Sequence, residues 1–455
     1  MRLTDLAGRN VAIWGAGREG RSAARAIAGI GAASIIAVDE NPARDAETWR
    51  EATGGSVALH LDPYALTALT TADIVVTSPG VKKLHPWLPV LAGQGVQLTT
   101  GTALWMAEHA DHTIAVTGTK GKSTTAALIH HLLTGLGHTA NFAGNIGTPL
   151  LGVAEAPLHV VELSSQQCHG LDSSPRWAVL TSLFPEHLDW HGDEQAYYRD
   201  KLNLIAHGPK AVVVNALDPT LVSHVAAAQP RAQVISAGGN DSFHLAEGAD
   251  GTECFYRGAA PLFPRAALPL LGRHNARNLC LALSLLELLD VDCVEQAERI
   301  AATVGEFQGL AHRLQRIADP AGKLTFINDS LSTAPQSAIA ALEAFATDPV
   351  TVILGGADRG LDYRVLHEYL ADIRVAPVSV LAIPDSGPRI ADVLRDIPGI
   401  AIEVVADLNE AVARARTLTP PDGVVLLSPA APSFGRFTDH AHRAAVFERA
   451  IAATS

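Results

Sequence analysis

IAVTGTKGKSTTAA, residues 114–127, opens with an apolar run (Ile114, Ala115, Val116) that reads as a strand. The run enters Gly118-Thr119-Lys120-Gly121-Lys122-Ser123-Thr124, and a helical pattern follows. Strand, glycine-lysine-serine turn and helix, in that order, suit a nucleotide triphosphate. Glycines let the backbone approach phosphates, successive N–H groups point at them, and the helix N-terminus adds positive potential. Lys122 is placed to reach the β- and γ-phosphates, and Ser123 or Thr124 to ligand Mg²⁺. Val116 stands where the common Walker pattern has its first glycine. The plainer reading is a glycine turn without a ligand. Two lysines beside the Ser123 and Thr124 hydroxyls argue against it.

The chain has 455 residues, enough for about three domains. Hydrophobic residues make up 48% and charged residues 18%, which suits a globular chain with a large core. A net charge of -13 disfavours a nucleic-acid partner. Small anions remain compatible, because a few basic residues and helix ends suffice. Cys168, Cys254, Cys280 and Cys293 form no CxxC pair, as expected of scattered reduced thiols. The N-terminus lacks a basic segment followed by an apolar one, so no signal peptide is expected. No apolar run is long enough for a membrane span, and a cytoplasmic location is expected.

Residues 1–107 read as one α/β unit. Strand Asn10 to Trp14 is followed by Gly15-Ala16-Gly17-Arg18-Glu19-Gly20 and an alanine-rich helix. The next strand ends at Asp39, giving the spacing of a dinucleotide fingerprint. The motif implies a diphosphate on the helix N-terminus. It leaves open whether that belongs to a nicotinamide or flavin cofactor or to another nucleotide. A third strand stops at Ser78-Pro79-Gly80, at the carboxyl-end crevice where open α/β sheets bind ligands.

Residues 108–308 carry the phosphate loop. Gly144-Asn145-Ile146-Gly147 follows its helix. A buried-looking strand then delivers Glu162 to Ser164-Ser165, and an acid at such a strand end commonly serves a metal. A capping or ion-paired carboxylate is the alternative. After strand 177–183 come Glu186, His187, Asp189 and His191. His187 is a candidate second metal ligand or a solvated loop histidine. Tyr197 to Ile205 reads as a helix presenting Lys201, by itself an ordinary surface lysine. Residues 236–265 are glycine-rich and irregular and read as short strands and loops. Asn275 and Asn278 share one face of the next helix, where they contact a base or ribose or merely cap it.

Residues 309–455 form a third unit. Strands at 324–327, 350–354, 378–383 and 424–427 alternate with helices, which predicts a doubly wound sheet. Their ends are polar: Asn328-Asp329-Ser330, Gly355-Gly356-Ala357-Asp358-Arg359 and Ser428-Pro429. These describe a binding face.

GTKGKST (118–124), GNIG (144–147), ELSS (162–165), EHLDWHG (186–192), Lys201, GRHNARN (272–278), GLAHR (309–313), NDS (328–330), GGADRG (355–360) and LSPA (427–430) together resemble the Mur ligase family over essentially the whole chain. The likeness implies three α/β domains: Rossmann-like, P-loop-type ATPase and Rossmann-like. It is strongest to the subgroup adding glutamate to UDP-N-acetylmuramoyl-L-alanine, which makes the GAGREG turn a uridine-diphosphate site. Gly15, Gly17, Arg18, Asp39, Ser78 and Asn145 are then the residues expected around the UDP substrate. The resemblance implies two Mg²⁺ ions. One is shared by ATP, Ser123 or Thr124, and Glu162. The other is held by His187 and Lys201, with Lys201 carbamylated into an anionic oxygen ligand. Lys122, His187 and Lys201 become catalytic. Gly118 to Thr124 with Asn275, Arg313 and Asp329 become the ATP site, and Thr333, Arg359 and Ser428 the glutamate site. A monomer is expected.

The D-glutamate-adding enzymes usually read Asp-Ser-Lys-Ala-Thr-Asn where this chain has Asp329-Ser330-Leu331-Ser332-Thr333-Ala334-Pro335. Arg359 also replaces a usual lysine. The run resembles a subgroup that attaches L-glutamate, so L-glutamate is favoured, with D-glutamate as the alternative. Arginine and lysine are not interchangeable around a carboxylate. The implied chemistry passes through an acyl phosphate, with closure of the third domain to exclude water. The competing readings are a folate-type glutamate ligase, a nicotinamide oxidoreductase and a non-catalytic nucleotide-binding regulator. The GAGREG unit argues against the first. Retained Glu162, His187 and Lys201 argue against the last.

Overall fold

Alternating apolar strands and helices produce three successive α/β sheets in the computed structural model, which describes residues 1–62, 64–248, 250–373 and 376–454. The first sheet contains β1 (Asn10–Trp14), β2 (Ser34–Val38), β3 (Ala58–His60), β4 (Ile74–Thr77) and β5 (Gln97–Thr100). They are parallel, in the order β3-β2-β1-β4-β5. Side chains alternate across a strand, so β1 feeds both faces. Val11 and Ile13 join Leu6, Ala24 and Ile27 in one core layer; Ala12 and Trp14 join Leu69 and Leu91 in the other. Covering both faces is what allows an all-parallel sheet.

The second sheet contains β6 (Thr113–Thr117), β7 (Ala140–Gly144), β8 (Leu158–Glu162), β9 (Trp177–Leu180), β10 (Ala211–Asn215) and β11 (Gln233–Ala237). The order is β11-β10-β9-β6-β8-β7, again all parallel. Every residue of β6 is buried. The carboxyl ends of β9, β6 and β8 therefore lie side by side, and they carry Thr181, Gly118 and Glu162. The stretch read as short strands and loops, 236–265, folds largely into an antiparallel sheet of β12 (Phe243–Glu247), β13 (Glu253–Arg257) and β14 (Ala260–Pro264). Its glycine- and proline-rich turns obscure the strand period.

The third large sheet contains β15 (Gln315–Ile317), β16 (Thr325–Asn328), β17 (Val350–Leu354), β18 (Val378–Ala382), β19 (Ala401–Val404) and β20 (Val424–Leu427). Its order is β15-β16-β20-β17-β18-β19, with only β15 antiparallel. Ile327, Val352 and Leu354 face one core layer, and Phe326, Ile353 and Leu427 the other. This is the doubly wound arrangement expected from the sequence.

The first two large sheets belong to one unit, Met1–Pro269 with Ala276–Phe307. The third belongs to another, Leu270–Asn275 with Gln308–Ser455. Among the described residues, no helix is long and apolar enough to cross a membrane, and all four cysteines are free thiols.

Candidate functional site

The turn after β6 needs glycine for two reasons at once. Gly118 has φ +150°, and a Cβ there would lie 2.0 Å from Thr181 Oγ1. Gly121 has φ +86°, and its Cβ would meet Asn278 Oδ1 at 2.7 Å. The turn is laced to the end of β9. Thr119 Oγ1 donates to the Phe184 carbonyl (2.9 Å), and Lys120 N donates to Ser182 Oγ (2.9 Å). Lys122 then opens the helix Lys122–Gly135, with Nζ donating to the Thr119 carbonyl at 2.9 Å. Ser123 is buried in the first turn and Thr124 is half-buried. Lys120 pairs with Glu186 at 2.6 Å. Burial opposes ionisation of Glu186, but the Lys120 charge wins and holds its carboxyl below the ordinary range.

Glu162 ends β8 and is fully buried. Asn145 Nδ2 donates to its Oε2 at 3.2 Å, while its Oε1 is buried without a hydrogen-bond partner. A buried carboxylate oxygen lacking a donor is costly unless a cation serves it. The residues present therefore fit a metal ion of the oxygen-preferring kind, with Glu162 and the hydroxyls of the first helical turn as donors.

Lys201 is not a surface lysine. It is 2% exposed, on the helix Glu194–Leu202. Its Nζ donates to the Gly118 carbonyl at 2.8 Å and lies 5.0 Å from the Tyr197 ring centroid. Burial first, and then the Lys122 charge, lowers its pKa to about 7. The amine thus reaches the Gly118–Thr124 turn in a setting that disfavours its charged form. His187 follows on the loop after β9, in the left-handed region at φ +55° and with a half-exposed imidazole. Such a backbone costs of order 1 kcal/mol or more for a residue other than glycine and concentrates at functional sites.

Sequence reasoning missed what holds Lys201 in place. Its neighbour Asp200 is almost completely buried and accepts from three groups. Lys83 Nζ (2.8 Å) comes from the loop after β4, and His169 (2.8 Å) and His191 (2.7 Å) from the second-sheet region. Burial disfavours the Asp200 carboxylate, yet the bonds from His169, His191 and Lys83 hold its pKa well below the usual range. Residues 83, 169, 191 and 200 share no local spacing, so no pattern could have revealed the cluster. Asp200→Ala is expected to cost about 3 kcal/mol, since it strips a carboxylate from several buried donors. Chemical denaturation would measure the loss. An unchanged midpoint would show that the cluster holds nothing.

In the first sheet, Gly15 (φ +108°) lies against Ser78, whose Oγ a Cβ would approach to 2.6 Å. Gly17 precedes the helix Arg18–Gly29. Arg18 donates from Nη1 to the Gly147 carbonyl (2.9 Å) and from Nη2 to the Asn145 carbonyl (2.7 Å). The glycine turn is thereby joined through Asn145 to Glu162. Asp39 accepts from Ala16 N (2.7 Å), Asn41 N (3.0 Å) and Arg44 Nε (2.9 Å), so its carboxylate braces the turn. Beside Ser78 opens a cavity of about 220 Å³, walled by Thr77, Lys83, Thr100, Gln166 and Trp190.

In the second unit the ends of β16 and β20 meet. Ser428 Oγ donates to Asp329 Oδ2 at 2.8 Å, and Leu314 N donates to Oδ1 at 3.3 Å. Burial pushes the Asp329 pKa up to about 6, against the opposing pull of Ser428 and Arg313. Arg313 is half-buried. Thr333 and Arg359 are exposed, Arg359 with its guanidinium 5.9 Å from the Phe434 ring centroid. Asn275 is buried and donates from Nδ2 to the Leu271 carbonyl at 2.7 Å. A further buried cation, Arg443, was not foreseen. It donates to the Ser330 hydroxyl and carbonyl and to the Ala431 carbonyl, bracing the segment after β16.

Comparison with known proteins gives the family and the fold. Residues 116–286 match the Mur ligase middle domain, and residues 312–431 match the Mur ligase glutamate ligase domain. A protein from Micromonospora sp. called UDP-N-acetylmuramoyl-L-alanine--L-glutamate ligase is 54% identical, covering 100% of this chain and 99% of the relative. A protein of the same name from Xanthomonas oryzae pv. oryzae is 41% identical, covering 97% of this chain and 95% of the relative. Among solved structures, UDP-N-acetylmuramate-alanine ligase from Thermotoga maritima superimposes with TM-score 0.60 at 19% identity, over 98% of this chain and 100% of that one. MurF from Acinetobacter baumannii gives 0.61 at 18% identity, over 92% and 90%. These two show a shared fold. The full-length identities carry the conclusion that this chain belongs to the Mur ligase family, enzymes that form amide bonds using ATP.

Proposed function

We propose that this chain joins L-glutamate to UDP-N-acetylmuramoyl-L-alanine with hydrolysis of ATP, in cytoplasmic assembly of peptidoglycan precursors. The observation that carries the chemistry is the conjunction at the end of the second sheet. A phosphate loop, a buried carboxylate oxygen without a partner and a buried lysine of lowered pKa meet there. The glutamate assignment is supported by the names of relatives that match the whole chain. The L-isomer is supported by those names and by Leu331 and Arg359, which depart from the pattern usual in D-glutamate-adding enzymes.

In this reading residues 1–107 hold the UDP end, 108–308 the ATP and 309–455 the glutamate, in a monomer. A carboxylate resists attack by an amine because it is anionic and lacks a good leaving group. Transfer of the ATP γ-phosphoryl to the alanyl carboxylate gives an acyl phosphate; the glutamate amine attacks it and phosphate leaves. Lys122 neutralises charge on the transferring group, and the Gly118–Thr124 amides orient it. Arg313 contacts the phosphates, and Asn275 and Asp329 bind ATP. Arg18, Gly15, Gly17, Asp39 and Ser78 form the uridine-diphosphate site, and Asn145 contacts the muramoyl group. Thr333, Arg359 and Ser428 receive the glutamate. Glu162 with Ser123, and His187 with a carbamylated Lys201, would each hold a Mg²⁺, which when bound offsets phosphoryl charge.

The test supplies the purified protein with Mg²⁺, ATP and UDP-N-acetylmuramoyl-L-alanine, with L- or D-glutamate in separate reactions, and measures phosphate release. Release with L-glutamate alone is expected. Release only with D-glutamate reverses the isomer, and none with either removes the proposal.

A further inference from the structure

Three side chains with metal-binding chemistry converge at the end of β8 remote from Glu162. They are His109, the last residue of the helix Gly101–His109; Glu155, in the segment before β8; and His159, on β8 itself. One ligand atom from each lies within 4.8 Å of the others. His159 precedes Glu162 by three positions, so the two are roughly 10 Å apart along the strand and on opposite faces of the sheet. The cluster is therefore separate from the phosphate-loop site.

Two details indicate that a positive occupant belongs there. His109 Nδ1 lies 2.9 Å from the Trp105 carbonyl, which can only accept, so that nitrogen carries the proton. The lone-pair side of the ring, Nε2, then faces Glu155 Oε1 at 3.1 Å. A lone pair facing a carboxylate repels it unless a proton or a metal lies between. A ring N–H fixed on a backbone carbonyl is also the usual outer support of a metal-ligating histidine. The second detail is His159, which is 2% exposed with Nδ1 buried and lacking any hydrogen-bond partner. Burying a polar nitrogen unsatisfied is unfavourable by roughly 1–3 kcal/mol. Trp105 stacks on His109 and meets His159 edge-on, which fixes both rings.

We propose that His109, Glu155 and His159 bind a divalent cation of the zinc class. Two imidazoles and one carboxylate suit Zn²⁺ and its imidazole-preferring neighbours better than Mg²⁺. Tetrahedral bonds of about 2.0–2.2 Å put ligand atoms about 3.3–3.6 Å apart. The His109–Glu155 separation already approaches that, and the exposed Glu155 side chain has room to close on His159. Solvent supplies the fourth ligand and the route of entry. The cation takes the place of the proton between His109 and Glu155, so uptake releases up to one proton. It ties the helix that follows the first sheet to a strand of the second.

The probe is Zn²⁺ alone, titrated calorimetrically into the chelator-stripped full chain in excess Mg²⁺. One Zn²⁺ per chain is expected, with proton release shown by buffers of different ionisation enthalpy. Glu155→Ala alters an exposed residue and should leave the fold intact while weakening affinity about tenfold or more. His109→Ala should abolish stoichiometric uptake, and Cys254→Ser and Glu162→Gln should preserve it. No stoichiometric uptake by the wild-type chain overturns the proposal. So does uptake untouched by Glu155→Ala and His109→Ala, or lost in Glu162→Gln or Cys254→Ser.

Discussion

Lys201→Ala is expected to lower ligase turnover on the order of a thousandfold, and short carboxylic acids to restore part of it. On the proposed reading, the loss would follow from removing a ligand of the second Mg²⁺, which when bound offsets charge on the transferring phosphoryl. Partial restoration follows if the missing group is an anionic oxygen, as a carbamate on Lys201 provides. The structure adds a pH dependence. Burial, followed by the Lys122 charge, lowers the amine to about 7. Only the neutral amine adds CO₂, so activation of CO₂-depleted enzyme by bicarbonate should rise steeply between about pH 6 and pH 8. The linkage has a definite sign. An unfolded lysine titrates near 10.4, so between about pH 7 and pH 10 the unfolded chain holds a proton that the folded chain lacks. Lys201 therefore makes stability rise with pH across that window, and below it a constant penalty remains. The alanine variant should lose that slope in Tm against pH. An alanine variant as active as the wild type, or a bicarbonate response indifferent to pH, defeats the carbamate.

Glu162→Gln separates function from stability. Turnover should fall by about a hundredfold to a thousandfold, because a neutral amide is a poor ligand for a hard dication. Tm measured without nucleotide should stay level or rise. The wild-type side chain is a fully buried carboxylate with only Asn145 Nδ2 on one oxygen and nothing on the other. Replacing that charge by an amide of the same shape removes the desolvation cost of a fully buried carboxylate. Sites built for ligands commonly sacrifice stability in this way. A Glu162→Gln chain that keeps its Mg²⁺-dependent turnover would remove Glu162 from the site. A marked fall in Tm would show that the carboxylate is structural.

How much of this was legible in advance depends on where each residue's neighbours come from. The sequence reading found the strands that ended up inside the three large sheets. It missed all six at their edges: β3, β5, β7, β11, β15 and β19. Interior strands of a parallel sheet are buried on both faces and write a continuous apolar run, as β6 and β17 do. The edge strand Gln97–Thr100 carries three polar residues, and the short apolar run of Ala401–Val404, partly open to solvent, is broken by Glu403. They have no run to read. The short strands between 243 and 264 were expected without bounds or pairing, since glycine and proline punctuate the stretch and antiparallel pairing is set in folding.

The amino-acid order alone determined the strand, the Gly118–Thr124 turn and the helix after it, because all their parts are consecutive and local backbone geometry is enough to assemble them. It also determined that polar residues gather at the ends of strands, and through them the resemblance to a ligase family. Tertiary structure alone decided which of those residues are chemically unusual. Lys201 reads as an ordinary helical lysine until distant segments exclude water from it. Glu162 becomes an incomplete ligand, Asp200 a hub of three cationic or imidazole donors, and His109 with His159 a pair, only when separate strands and helices pack together. Desolvation and through-space charge act between residues that the chain brings close in folding, and neither leaves a periodic mark in the sequence.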